Sequence, residues 1–172
     1  VNGFPNVVPV TVSKNLTLAQ ARKGVVVTDT YKDPLSITNS FGVPSKSPEI
    51  WQEDMKRALS YARRGQVLIG SFQGTTGDGG ASDFIADCVH TAQLVAQTGV
   101  SILEMNTSCP NEGTSNLLCF DIDRVETIVK KIRKHVQLPL LLKIAYFEDQ
   151  NLLEGFVKRI GPLVDGIATI NT

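Results

Sequence analysis

The chain has 172 residues, 42% of them hydrophobic and 20% charged, with 17 basic side chains balancing 17 acidic ones. This suits one folded domain with a sizeable core and excludes collagen-like, disordered and disulfide-scaffold classes. Zero net charge argues against a phosphate-backbone binder, and no apolar run approaches the ~20 residues of a membrane span. No secretory leader pattern is visible, and Val1 in place of an initiator methionine suggests a processed product or part of a longer polypeptide. Cys88, Cys109 and Cys119 contain no CxxC pair, so a reducing, cytoplasmic setting is expected rather than a disulfide framework or a zinc site.

Residues 1–22 are the least regular, with a strand at VVPVTV and a short helix over 16–22 as candidates. From residue 23 onward, short β-branched runs alternate with longer amphipathic segments. Residues 23–28 (KGVVVT) read as a strand. A helix over 48–64 follows, with Pro48 near its start and Ile50, Trp51, Met55, Ala58, Leu59 and Ala62 at helical spacing. The next strand is predicted at 66–72 (QVLIGSF). The helix after it covers 82–97, with Ser82 as its cap, Gly99 as its stop, and Phe84, Ile85, Cys88, Val89, Ala92 and Val95 on its apolar face. Residues 100–105 form a strand, and 122–136 a helix led by Asp121 or Asp123. The basic last turn of that helix (Arg133, Lys134, His135) suits the negative end of the helix dipole. A strand at 139–144, a helix at 151–160 and a strand at 165–170 complete the series.

The strands are almost continuously apolar, which predicts burial on both faces and hence a parallel sheet covered by helices. The order βαβαβαβαβ is that of an α/β protein. A doubly wound sheet and a (β/α)8 barrel both accommodate it, and the placement of the polar residues favours the barrel. In either case the site lies at the carboxyl ends of the strands. Those ends deliver Thr28-Asp29-Thr30, the loop from Gln73 to Gly80, the run Asn106 to Asn111, Lys143, and Asn171-Thr172. Lys143 stands in an apolar strand, where its ammonium needs an anionic or electron-rich partner. Cys109, between Ser108 and Pro110 in what reads as an exposed loop, is placed to act as a nucleophile or general base. Cys88 and Cys119 read as core, and the Trp51/Met55 pair as helix packing. The 74–80 loop lacks both the Lys-Ser/Thr ending of a P-loop and dinucleotide-fingerprint spacing, so it reads as a flexible rim loop. His90 and His135 have no metal-ligand partner at useful spacing.

Four motifs in order resemble the dihydroorotate dehydrogenase family. They are Asn39-Ser40-Phe41-Gly42-Val43-Pro44, Asn106-Thr107-Ser108-Cys109-Pro110-Asn111 with Gly113, the strand ending in Lys143-Ile144, and Asp165-Gly166 through Asn171-Thr172. The resemblance implies a flavin mononucleotide (FMN) enzyme on a TIM barrel that oxidises dihydroorotate to orotate. Five to six βα units are present, so residues 1–172 are expected to be one domain, the N-terminal two-thirds of a barrel of ~250 residues. The family's flavin-phosphate loops come later in the fold. Cys109 would be the general base, as in the soluble cytosolic branch. Asn39, Asn106, Lys143 and Thr172 would bind the flavin. Asn39, Phe41, Gly42, Val43, Asn106, Asn111, Asn171 and Thr172 would bind the substrate. Asp29 stands where the family usually has a lysine, with Lys32 three residues later. The implied partner is a small pyrimidine, with no nucleic acid or membrane and a homodimer as the candidate assembly. The alternatives are a dihydropyrimidine dehydrogenase-like or tRNA dihydrouridine synthase-type enzyme on the same barrel, or a non-catalytic barrel fragment serving as an interaction module.

Overall fold

The computed structural model describes residues 45–76, 80–109 and 117–170. Helix α1 (Pro48–Tyr61) begins at a proline whose fixed φ suits the first helical turn. It ends three residues short of expectation because Ala62 turns extended. A turn then passes through Gly65, at φ +90°, with Gln66 N–H donating to Arg63 O. Strand β1 (Ile69–Phe72) is shorter than predicted, and Val67, in its expected first half, is 62% exposed. Helix α2 (Ala81–Ala96) is led by Gly80 at φ +70°, not by a Ser82 cap. The remaining elements are β2 (Ile102–Asn106), a 3-10 turn (Leu118–Phe120), α3 (Ile122–His135), β3 (Leu140–Lys143), α4 (Gln150–Ile160), a 3-10 turn (Gly161–Leu163) and β4 (Gly166–Ala168). The Asp121 carboxylate caps α3 through Arg124 N–H, and Asp149 caps α4 through Asn151 N–H at 2.8 Å. The predicted strand at 23–28 and the candidates within 1–22 lie outside the described residues.

All four strands are parallel and follow the chain, in the order β1-β2-β3-β4. Among the described strands the order never reverses, so the reversal that marks a doubly wound sheet is absent from them. Crossovers between parallel neighbours are right-handed as a rule, which returns α2, α3 and α4 to the same side of the sheet. The core forms there. Phe72, Leu103, Met105, Leu140 and Leu142 point toward Phe84, Cys88 and Val95 of α2, Val125, Ile128 and Ile132 of α3, and Phe156 of α4.

The expectation of two fully buried faces fails for the described residues. Burial alternates along β1, β2 and β3: the other face carries exposed Ile69 and Ser71, and half-buried Ile102, Glu104, Asn106, Leu141 and Lys143. A single helical layer explains this, because it covers only the side to which each crossover returns. Apolar content told of strands, not of how many layers cover them.

Asp165, from the last of the four motifs, sits at the amino ends of the strands. Its Oδ2 accepts from Leu140 N–H at 2.8 Å and from Arg133 Nη2. Arg133 also donates to Leu138 O and Leu163 O. This arginine therefore ties the end of α3 to the approaches of β3 and β4, at the end of the sheet opposite the expected site.

Candidate functional site at the carboxyl ends of the strands

The register builds a polar row across three strands. Asn106 pairs with Lys143, and Lys143 with Ala168. One step beyond the Phe72–Met105 pair, Gln73 stands opposite Asn106. Alternation puts the side chains of Gln73, Asn106 and Lys143 on the face away from the helices. Asn106 Nδ2 donates to Gln73 Oε1 at 3.4 Å. Asn106 Oδ1 accepts from Ser108 N–H at 3.1 Å and from Ser108 Oγ at 2.9 Å. One layer below, Ser71 Oγ donates to Glu104 Oε1 at 2.9 Å. Lys143 is half-buried, and no side chain among the described residues forms an ion pair with its ammonium.

The loop after β2 folds back on the sheet. Thr107 donates to Lys143 O through both N–H (3.0 Å) and Oγ1 (2.8 Å), while Thr107 O accepts from Cys119 N–H. These bonds correct one expectation: Cys109 is only 7% exposed, not a residue of an open loop. It is nevertheless absent from the contiguous core cluster, which does contain Cys88 and Cys119. Burial pushes the Cys119 thiol above its ordinary pKa, which suits an inert core cysteine.

The loop after β1 is also held. A Cβ on Gly74 would collide with Cys88 Sγ and lie 3.1 Å from Phe84 O, so only glycine lets the chain pass this close to α2. Thr75 N–H donates to Asp87 Oδ2 at 2.8 Å. Burial raises the Asp87 pKa, partly offset by this hydrogen bond and by nearby His90. The described part of the expected flexible loop is thus pinned, and residues 77–79 lie outside the described set.

Of the predicted site residues, the fold brings Asn106, Cys109 and Lys143 to adjacent strand ends. Asn39, Phe41, Gly42, Val43, Asn111, Asn171 and Thr172 lie outside the described residues, as do Asp29 and Lys32. Sequence reasoning passed over Gln73 as a loop residue. The signal was its phase, two residues after Ser71 and therefore on the same face. A cavity of about 290 Å³ lined by Trp51, Met55, Leu68 and Gly70 lies at the amino-terminal side of β1, away from this rim. Among the described residues no cluster of His, Cys, Asp and Glu could hold a metal ion.

No family model matches the chain. A dihydroorotate dehydrogenase of Dictyostelium discoideum is 36% identical over 151 residues, covering 83% of this chain and 40% of that protein. The chain is related to the dihydroorotate dehydrogenases. Two catalytic subunits named dihydroorotate dehydrogenase B (NAD(+)) are also similar. That of Thermodesulfovibrio yellowstonii is 27% identical over 67% of this chain and 35% of its own length. That of Petrotoga mobilis is 24% identical over 93% of this chain and 50% of its own length. The chain therefore spans half or less of the dihydroorotate dehydrogenases it matches. Among the described residues no helix is long and apolar enough to cross a membrane.

The rim gathers cationic and amide donors together. Half-buried Lys143, whose ammonium has no described counter-ion, stands beside amides, and half-buried Leu141, two residues earlier on the same face of β3, supplies apolar surface. An electron-rich planar ring matches that donor set.

Proposed function

We propose that residues 1–172 form the N-terminal two-thirds of a (β/α)8 barrel acting as an FMN-dependent dihydroorotate dehydrogenase in the cytoplasm. The observation that carries this reading is the row Gln73–Asn106–Lys143 beside the Cys109 loop, at the carboxyl ends of sequential parallel strands. Bound FMN would supply the hydride acceptor. The Lys143 ammonium would face the electron-rich edge of that ring, with Asn39, Asn106 and Thr172 beside it. Asn39, Asn106, Asn111 and Asn171 would hydrogen-bond the planar dione of the substrate, and Phe41, Gly42 and Val43 would complete its binding site. Cys109 Sγ, as thiolate, would take the proton from the dihydropyrimidine ring carbon. Its burial keeps competing water away from that base. The proposed partner is thus a small pyrimidine, with neither nucleic acid nor membrane, and the proposed assembly is a homodimer.

Purified protein should bind added FMN, giving absorbance near ~450 nm, and dihydroorotate should bleach it under anaerobic conditions. Cys109→Ala should slow that bleaching by ~10²-fold or more while leaving bound flavin unchanged. Protein that stays colourless with FMN in excess would overturn the proposal, and an undiminished rate in the alanine variant would remove Cys109 from the chemistry.

A further inference from the structure

Gln73 is 4% exposed and is held at the rim by the Gly74 approach to α2 and the Thr75–Asp87 hydrogen bond. The direction of its bond to Asn106 is dictated by a neighbour. Ser108 N–H can only donate, and it points at Asn106 Oδ1. Asn106 must therefore turn Nδ2 toward Gln73, and Gln73 must answer with Oε1. Both lone pairs of Asn106 Oδ1 are thus taken by Ser108, and one of the two on Gln73 Oε1 by Asn106. What remains for a ligand is one N–H on Asn106, two on Gln73 Nε2 and the ammonium of Lys143. Among the described residues no acceptor meets Gln73 Nε2.

We propose that Gln73 is a positioning and specificity residue: it locks the Asn106 amide so that the β1–β3 rim presents chiefly donors, from Asn106 Nδ2, Gln73 Nε2 and Lys143. Such a rim selects a ring edge of carbonyl oxygens and unprotonated nitrogens. A ring presenting an amino group there would set donor against donor and leave buried polar groups unpaired, which discriminates strongly. This rests on the flavin–pyrimidine reading and narrows it to one edge chemistry.

Two variants separate the roles. Gln73→Glu keeps an oxygen for Asn106 Nδ2 but replaces the free donors with a second acceptor. Gln73→Leu removes both functions. FMN and orotate affinities are measured by calorimetry, and the Ser108 amide and Asn106 side-chain NH2 resonances are followed in the unliganded protein by NMR. Gln73→Glu should leave those resonances near wild type while weakening binding of FMN or orotate by ~10-fold or more. Gln73→Leu should shift the Asn106 resonances as its amide is released. Affinities of the glutamate variant within about twofold of wild type for both probes would overturn the specificity role. Unmoved Asn106 resonances in the leucine variant would overturn the positioning role. If the leucine variant loses amide dispersion, Gln73→Met takes its place as the longer apolar match. Wild-type protein that binds neither probe would overturn the flavin reading and the edge assignment together, with the resonances alone then deciding the positioning role.

Discussion

Lys143 and Cys109 place opposite demands on one rim. The lysine needs an electron-rich neighbour, whereas the buried cysteine, to act as a base, needs donors or positive charge that stabilise its thiolate. Nothing among the described residues pairs with the Lys143 ammonium, so its removal breaks no ion pair described in the fold. Lys143→Met should therefore change unfolding free energy by no more than about 0.5 kcal/mol yet lower the flavin content of the purified protein. Chemical denaturation and the ratio of flavin to protein absorbance give the two numbers. A variant that keeps its full flavin would displace Lys143 from the site. Both residues were legible in the sequence because each is chemically out of place, a cation in an apolar strand and a thiol in a polar loop. Gln73 was not, since an amide after a strand looks like any loop residue until register sets it opposite Asn106. The burial of Cys109 was hidden for a related reason: it depends on Thr107 and Cys119 meeting across the loop, a contact with no local signature.

Whole elements were easier to read than their ends. The stripe Val125, Ile128, Val129 and Ile132 repeats at helical spacing, and α3 buries all four. The predicted start of β1 was wrong because Val67 and Leu68 have strand-forming side chains but stand before the first pair with β2, at Ile69. Helix α2 begins on a left-handed glycine, a conformation that residue preferences for capping do not reveal. The contact between α2 and the loop after β1 is tight enough to test. Gly74→Ala should cost ~1–3 kcal/mol through overpacking against Cys88 and Phe84, measured by urea denaturation. A loss below about 0.5 kcal/mol would mean the loop shifts freely. The Asp149 cap on α4 makes a smaller claim. Asp149→Ala should cost ~1 kcal/mol, whereas Asp149→Ser should restore most of it.

Two carboxylates give the molecule opposing acid responses. Asp87 has its pKa raised by burial, so its contribution to stability is full below its unfolded value and is lost as pH rises through the higher folded value. Asp165 is held below the usual aspartate range by Arg133 and Leu140 N–H, so its contribution is present above the unfolded value and is lost as pH falls through the lower folded one. Thermal unfolding scanned from neutral pH downward should show Asp87→Asn flattening any gain in stability above ~4, the ordinary aspartate value. Asp165→Asn should flatten the loss below it. A parallel shift of the whole curve in either variant would mean that its carboxylate does not titrate differently on folding.

The sequential strand order also has a kinetic side. Each strand finds its partner one helix further along the chain, so the sheet can assemble by successive addition at one edge without waiting for distant segments. Of the described strands, β2 and β3 have neighbours on both sides and bury Leu103, Met105, Leu140 and Leu142 beneath them. Their amides should therefore be the last to exchange with deuterium. Asn106 and Lys143 thus project from the part of the sheet that opens least often.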